Sequence, residues 1–273
     1  MRRLLRLANL ALAGAAIVCA GTNPAMAWAA ANDSEPLRSI EVVGAQFRVT
    51  TTAGRVLPQE ALVGAVLSYR QGDRTIPVRI DRVAPDAKDP TGEVLLYGFS
   101  VEDPATGTWS EMCEPDIEGR RAGFPLQLGG AQGFTLTCTS GAEGKCVRFG
   151  YKPWANGPDG TPLLAYWQAC IRMVRADYCG DGEPHTRDGT LIDLYDKPGV
   201  QKDEPAEGME FEAAWAPHGA VCVRRVRLSE IYSLDQLRAN CPRLHAEDLG
   251  ENCSAASAQQ NPAVLLMNKS FPR

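Results

Sequence analysis

The sequence predicts a β-dominated α+β fold, an N-terminal all-β portion followed by a disulfide-bonded portion of β-hairpins and a central helix. Three observations carry this expectation. From Arg38 to Asp103, short runs with strand-type alternation are separated by turn signals. One run, 161–180, repeats its apolar residues at helical spacing. All eight cysteines beyond the first 27 residues lie between Cys113 and Cys253.

The N-terminus reads as an export signal. Arg2, Arg3 and Arg6 precede the apolar run Leu7 to Ala20, and Ala25-Met26-Ala27 fits the small-x-small cleavage rule, which places the cut between Ala27 and Trp28. The apolar run is shorter than the ~20 residues of a spanning helix. Cys19 follows Val18, the wrong size for a lipoprotein site, and is read as a passive apolar residue of the signal. Removing residues 1–27 leaves 273 − 27 = 246 residues, enough for one large or two small domains. It also removes three arginines and no acids, so the net charge moves from −5 to −5 − 3 = −8. An acidic surface argues against nucleic acid or anionic lipid as partner. No other long apolar run exists, so no membrane span is expected after cleavage, and the mature protein is expected in the periplasm or outside the cell.

The remaining chain divides by composition into a flexible lead-in (28–37), a β-rich portion without cysteine (38–105), a cysteine-containing domain (106–253) and a tail (254–273). Strands are expected at 40–43, 46–51, 61–69, 75–83 and 93–101, with turns at Ala53-Gly54, Gly72-Asp73 and Asp89-Pro90-Thr91-Gly92. The break at Asp103-Pro104-Ala105-Thr106-Gly107 marks the composition change. Phe134 to Cys138 and Cys146 to Phe149 read as two strands of a hairpin. A second hairpin joins Glu210 to Trp215 with Ala220 to Val226 across Pro217-His218-Gly219, with Phe211, Ala213 and Trp215 on one face. Ser233 and Gln236 form a capping-box signature for a short helix that Pro242 stops. The tail ends polar around Leu265-Leu266-Met267.

In the central helix, Thr161-Pro162 supplies an N-cap and first turn, and Gly180 a left-handed C-terminal cap. Leu163, Trp167, Cys170, Ile171, Val174 and Tyr178 form the buried stripe. Cys170 and Cys179 are nine residues apart, about 13 Å on a helix, beyond the ~7 Å a disulfide spans, so they do not pair together. Cys113, Cys138, Cys146, Cys170, Cys179, Cys222, Cys241 and Cys253 read as four disulfides with no free thiol. Taking 138–146 and 241–253 as local closures leaves 113–170 with 179–222, or 113–179 with 170–222, the former preferred. Either tethers the helix to strands on both sides.

Ala176-Asp177-Tyr178-Cys179 followed by Gly180-Asp181-Gly182 resembles the motif that names the ADYC-domain family of exported bacterial proteins. Lys145-Cys146, Gly150-Tyr151-Lys152-Pro153-Trp154 and Gly219-Ala220-Val221-Cys222 support the resemblance, which covers most of the mature chain. It implies no particular activity, substrate or cofactor.

The loop after the central helix carries the candidate chemical groups. Asp177 sits where the helix dipole disfavours an acid, so Arg172, Arg175, the Arg224-Arg225-Arg227 cluster or a cation must offset it. A salt bridge with an Asx-type turn competes here with a cation site of Asp177, Asp181 and Asp188, whose spacing departs from the EF-hand loop. His185 is the one histidine near acids; as a general base oriented by Asp177, Asp181 or Asp188 it would serve a hydrolase-like enzyme, although no nucleophile or metal set is identifiable. Tyr151 and Trp154 offer an aromatic platform for a glycan or peptide, against the alternative that they cover a core. No G-x-S-x-G, H-E-x-x-H, Walker A or G-x-G-x-x-G string occurs, Gly129-Gly130 and Gly133 lack dinucleotide spacing, and no cofactor is expected. Two functional readings stand: a non-catalytic exported binding or structural module, with its partner unidentified, and the His185-centred hydrolase or its cation-binding variant.

Overall fold

The computed structural model describes residues 35–71, 74–128 and 133–272, and within it the strand-patterned runs between 38 and 103 pair into antiparallel sheets. The expected signal peptide with Cys19, most of the lead-in, the Gly72-Asp73 turn and Gly129-Gly130 lie outside the described residues. Strands β1 (Leu37–Val43) and β2 (Gln46–Thr51) form a hairpin, and β2 turns Phe47, Val49 and Thr51 inward in strict alternation. The strand expected at 61–69 is instead a 3-10 turn (Gln59–Leu62) followed by β3 (Val66–Gln71). Gly64, with φ +88°, makes the break between them.

A six-stranded sheet contains β3, β4 (Arg74–Pro85), β5 (Leu95–Glu102), β7 (Gly123–Leu126) and β8 (Thr135–Cys138) in that order, with β6 (Trp109–Glu111) paired to β5. The Asp103–Gly107 turn joins β5 to β6 inside this sheet, so the change in cysteine content does not coincide with a change of sheet. A four-stranded sheet has the order β11 (Gly219–Val223), β10 (Glu210–Ala216), β12 (Leu266–Ser270), β9 (Ile192–Asp196). Helix α2 (Leu164–Arg175) packs on β10, β11 and β12, and α1 (Ala142–Arg148) packs on α2. Short helices α3 (Leu234–Asn240) and α4 (Ala255–Gln260) follow. Among the described residues no helix is long and apolar enough to cross a membrane.

Several expectations need correction. Cys146 to Phe149 is not a strand: it ends α1. Four residues are too few to separate the two periodicities, and Gly144 lets the helix lie directly on β8, where a Cβ would run into the Cys138 carbonyl oxygen. The start of α2 is not capped by Thr161, whose hydroxyl and amide both bond to Asp159; the first helical bond runs from the Trp167 amide to the Leu163 carbonyl. The segment around Leu265-Leu266-Met267 is no peripheral patch. It becomes β12, an interior strand with Met267, Asn268 and Ser270 all buried. Polar Asn268 and Ser270 disguise it, because their partners come from distant segments.

The disulfide pairing differs from both alternatives. The bonds are Cys113–Cys138, Cys146–Cys170, Cys179–Cys241 and Cys222–Cys253, with Cα separations of 5.5, 5.8, 5.2 and 5.6 Å. Cys170 and Cys179 indeed have separate partners. The assumed closure 138–146 fails because the hairpin it presumed is absent. Cys241, at the end of α3, faces the end of the motif, and Cys253 faces β11. Two disulfides thus join α2 to α1 and the motif to α3, rather than tying the helix to strands.

Buried charge joins α1 and the segment after it to the loop between β4 and β5. Arg148 reaches Asp86 (2.6 Å) and Asp116 (3.3 Å), all three side chains largely buried. Lys152 Nζ donates to Asp89 (2.8 Å), Thr91 (2.5 Å) and Glu93 (2.8 Å). Burial alone would raise the Asp89 carboxyl, but Lys152, the Thr91 hydroxyl and the Val94 and Thr91 amides outweigh it and hold the group at about 2. Replacing Lys152 by methionine is expected to lose about 1.5–3 kcal/mol at pH 7, since a charge-assisted cluster loses its donor. A depressed carboxylate stabilises above its unfolded value, about 4, and that contribution disappears as pH falls through about 2. Urea unfolding of wild type and Lys152→Met across that window should show the gap closing; a gap unchanged at the acid end contradicts the assignment.

Candidate functional site

The motif Ala176-Asp177-Tyr178-Cys179 lies directly after α2, and each of its residues has a structural task. Helix α2 ends in a Schellman arrangement: the Asp177 amide bonds to the Arg172 carbonyl (2.9 Å) and the Ala176 amide to the Met173 carbonyl (3.0 Å). Ala176, not Gly180, takes the left-handed position, at φ +50°. An alanine there costs roughly 1–2 kcal/mol of backbone strain. Its fully buried methyl offsets part of that. Gly180 answers a different demand: a Cβ at this residue would run into the His218 carbonyl oxygen at the β10–β11 turn.

Asp177 is fully buried and turned into the loop it begins. Its carboxylate accepts from Arg172 Nη1 (2.5 Å), the Gly180 amide (2.8 Å) and the Gly182 amide (3.0 Å). Arg175 donates to the Gly182 carbonyl, and the His185 amide bonds back to the Arg175 carbonyl (3.0 Å), so the loop returns to the helix end. Of the cations weighed against Asp177, Arg172 is its ion-pair partner.

Tyr178 is the hub. Its hydroxyl donates to Glu212 Oε1 (3.1 Å) and accepts from the Arg227 amide (2.8 Å), while its ring stacks on Trp215 at 5.3 Å. Arg227 and Glu212, 1% and 0% exposed, form two hydrogen bonds of 3.0 and 2.9 Å. Arg227 also donates to the Met173 (2.8 Å) and Val174 (3.1 Å) carbonyls, placing a cation on the negative end of α2. Ser270 on β12 donates to Glu212 Oε2 at 2.6 Å. Burial would raise Glu212, yet the Arg227 guanidinium and Ser270 hydroxyl hold it below its ordinary value. Burial, and then the Glu212 carboxylate, push the Tyr178 hydroxyl well up. Arg243 completes the knot by donating to the Cys179 (2.9 Å), Tyr178 (3.1 Å) and Ala220 (2.6 Å) carbonyls.

Glu212 and Arg243 escape sequence reasoning, and Arg227 enters it only within the cluster weighed against Asp177, whereas it pairs with Glu212. Glu212 is the extra residue of a β-bulge: Phe211 faces Lys269 and Ala213 faces Asn268, with nothing opposite 212. The bulge turns Glu212 toward α2 beside Ala213, while Phe211 packs with the opposite cluster around Ala214 and Met267. The expectation of Phe211, Ala213 and Trp215 on one face is corrected accordingly. The available signal was the small Ala213-Ala214 pair, which suits a strand covered on both sides.

The other candidate residues are placed as follows. His185 Nδ1 lies 3.3 Å from the Ala176 carbonyl, and its ring lies 3.9 Å from that of Tyr232; no ion pair joins it to a carboxylate among the described residues. Asp181 accepts from the Glu183 amide (3.0 Å), and exposed Asp188 lies 4.0 Å from Lys145. Among the described residues no three His, Cys, Asp or Glu side chains gather into a set that could hold a metal, so Asp177, Asp181 and Asp188 are not brought together. Tyr151 is fully buried, its hydroxyl donating to Asp196 at 2.6 Å, and Trp154 packs against Gly44 in the β1–β2 turn.

Fold and motif together define a disulfide-braced α+β protein in which one tetrapeptide closes a helix onto a sheet. The chain belongs to the ADYC-domain family, whose model matches residues 59–229, well over half its length. No curated protein matches it, and neither does any solved structure.

Proposed function

We propose that this protein is an exported module that acts by binding or by a structural role, and that the ADYC motif is its brace rather than its reactive centre. The observation that carries the reading is Asp177. The one acid in the motif is fully buried and already accepts three hydrogen bonds, one from an arginine. A carboxylate enclosed in this way is held as a structural acceptor and presents no surface to a substrate. Export is supported by the arginine-led apolar N-terminus and by four disulfides, which persist in oxidising compartments. The mature protein is expected to begin at Trp28, and its intact mass to be lower than the reduced form by eight hydrogens, two for each of the four disulfides. Purified material should give no turnover of nitrophenyl ester, phosphate or glycoside substrates that is lost in His185→Ala. A hydrolysis abolished by that substitution overturns the non-catalytic reading; retained residues 1–27 overturn the export reading.

A further inference from the structure

Two adjoining clefts meet at one arginine whose donors are incompletely used. The first, about 580 Å³, is polar, with Glu210, Arg224, Arg225, Glu251 and Ser254 in its wall. The second, about 480 Å³, is more apolar, lined by Val226, Tyr232, Leu234 and Pro272, and again by Arg225. One Arg225 nitrogen, Nη2, is anchored to the Ser270 carbonyl and hydroxyl (2.9 Å to the latter) and to the Glu210 carbonyl (3.3 Å). Its Nε and Nη1 are buried and have no hydrogen-bond partner. Unpaired guanidinium N–H groups are costly, and natural structures almost always supply an acceptor. The Glu210 carboxylate stands 4.0 Å from Nε, beyond hydrogen-bond reach, on a side chain 64% exposed. Arg224 is occupied by Glu251 at 2.6 Å.

We propose that Arg225 receives the carboxylate of a small monocarboxylic ligand whose apolar or aromatic body lies in the second cleft against Tyr232 and Leu234. The pairing follows from the chemistry of the two walls. A guanidinium fixed through one nitrogen is pre-oriented for an anion on its free donors, and the apolar neighbours exclude water from the pair. Glu210 is then a built-in competitor that the ligand displaces. The Tyr232 ring also touches His185, so an occupant of the second cleft is sensed at the motif loop. The inference deepens the binding reading above and rests on it.

The test is an NMR titration of the isotope-labelled mature protein with N-acetylphenylalanine, and in parallel with its C-terminal amide. Saturable shifts of the Arg225 Nε–H and of the His185 ring are expected with the acid at a Kd of about 1 mM, with the amide at least tenfold weaker. Glu210→Gln, a change at an exposed side chain, should tighten the acid two- to fivefold, and Arg225→Gln should erase the preference for acid over amide. Equal titration by acid and amide, absence of a saturable Arg225 shift, or indifference to Glu210→Gln each overturns the proposal. Those outcomes concern this cleft alone; the non-catalytic reading stands or falls separately on the turnover assay.

Discussion

Arg227→Met should lose about 3–5 kcal/mol of unfolding free energy, the loss typical of removing one partner from a buried ion pair. Against the 5–15 kcal/mol that a domain normally holds, such a loss leaves the protein marginal or unfolded. Methionine fills much of the volume but leaves the Glu212 carboxylate fully buried, with Tyr178 and Ser270 as its remaining donors. The Met173 and Val174 carbonyls at the end of α2 lose a donor at the same time. Glu212→Gln should be milder, because the amide keeps an acceptor for the guanidinium while leaving its charge uncompensated. Denaturant midpoints for both variants and the double variant would establish the coupling. A double variant as unstable as the sum of the two singles would mean that the pair does not act as a unit.

The second large effect is expected from the Cys179–Cys241 disulfide. It closes 62 residues, the longest loop of the four, and constraining a loop of that size is worth about 4 kcal/mol by the chain-entropy account. The paired substitution Cys179→Ser with Cys241→Ser removes this and places a serine hydroxyl where Cys241 was fully buried. By the same account the Cys113–Cys138 pair, separated by 25 residues, is worth about 3.5 kcal/mol. The order of the two losses is the sharper test. Arg243 still holds the Cys179 carbonyl in the serine variant, so the motif should stay in place while the whole domain loses stability. Urea melts in which the 179/241 variant is the more stable would refute this ranking.

Local structure was legible in proportion to how local its causes are. The β1–β2 hairpin, the β10–β11 hairpin and the α3 cap, where Ser233 Oγ accepts from the Gln236 amide at 3.1 Å, follow from neighbours in the chain. The Arg172 partner of Asp177 is also local, five positions back, but the expected Asx turn is replaced by a wider loop in which the carboxylate accepts from the Gly180 and Gly182 amides, three and five positions on. Disulfide partners were not legible, because spacing says nothing about which distant segments meet. The bulge at Glu212 was hidden for a related reason: strand alternation assumes one residue per position, and an inserted one reverses the faces before it. Polar Asn268 and Ser270 concealed β12 in the same way, their acceptors and donors lying on β10 and in the segment after β11. The motif itself was visible as a string, but the task of its tyrosine depended on residues 34 and 49 positions away.

The last two sulfur links interlace along the chain: Cys179 goes to Cys241 and Cys222 to Cys253. An oxidant that couples thiols in their order of appearance would instead join Cys179 to Cys222 and then Cys241 to Cys253. Reaching the correct topology therefore requires either that Cys179 and Cys222 stay unpaired until Cys241 and Cys253 have been delivered, or that a thiol-exchange catalyst reshuffle an early pair. Because β12 must also slot between β10 and β9, the four-stranded sheet closes only once residues 266–270 have arrived.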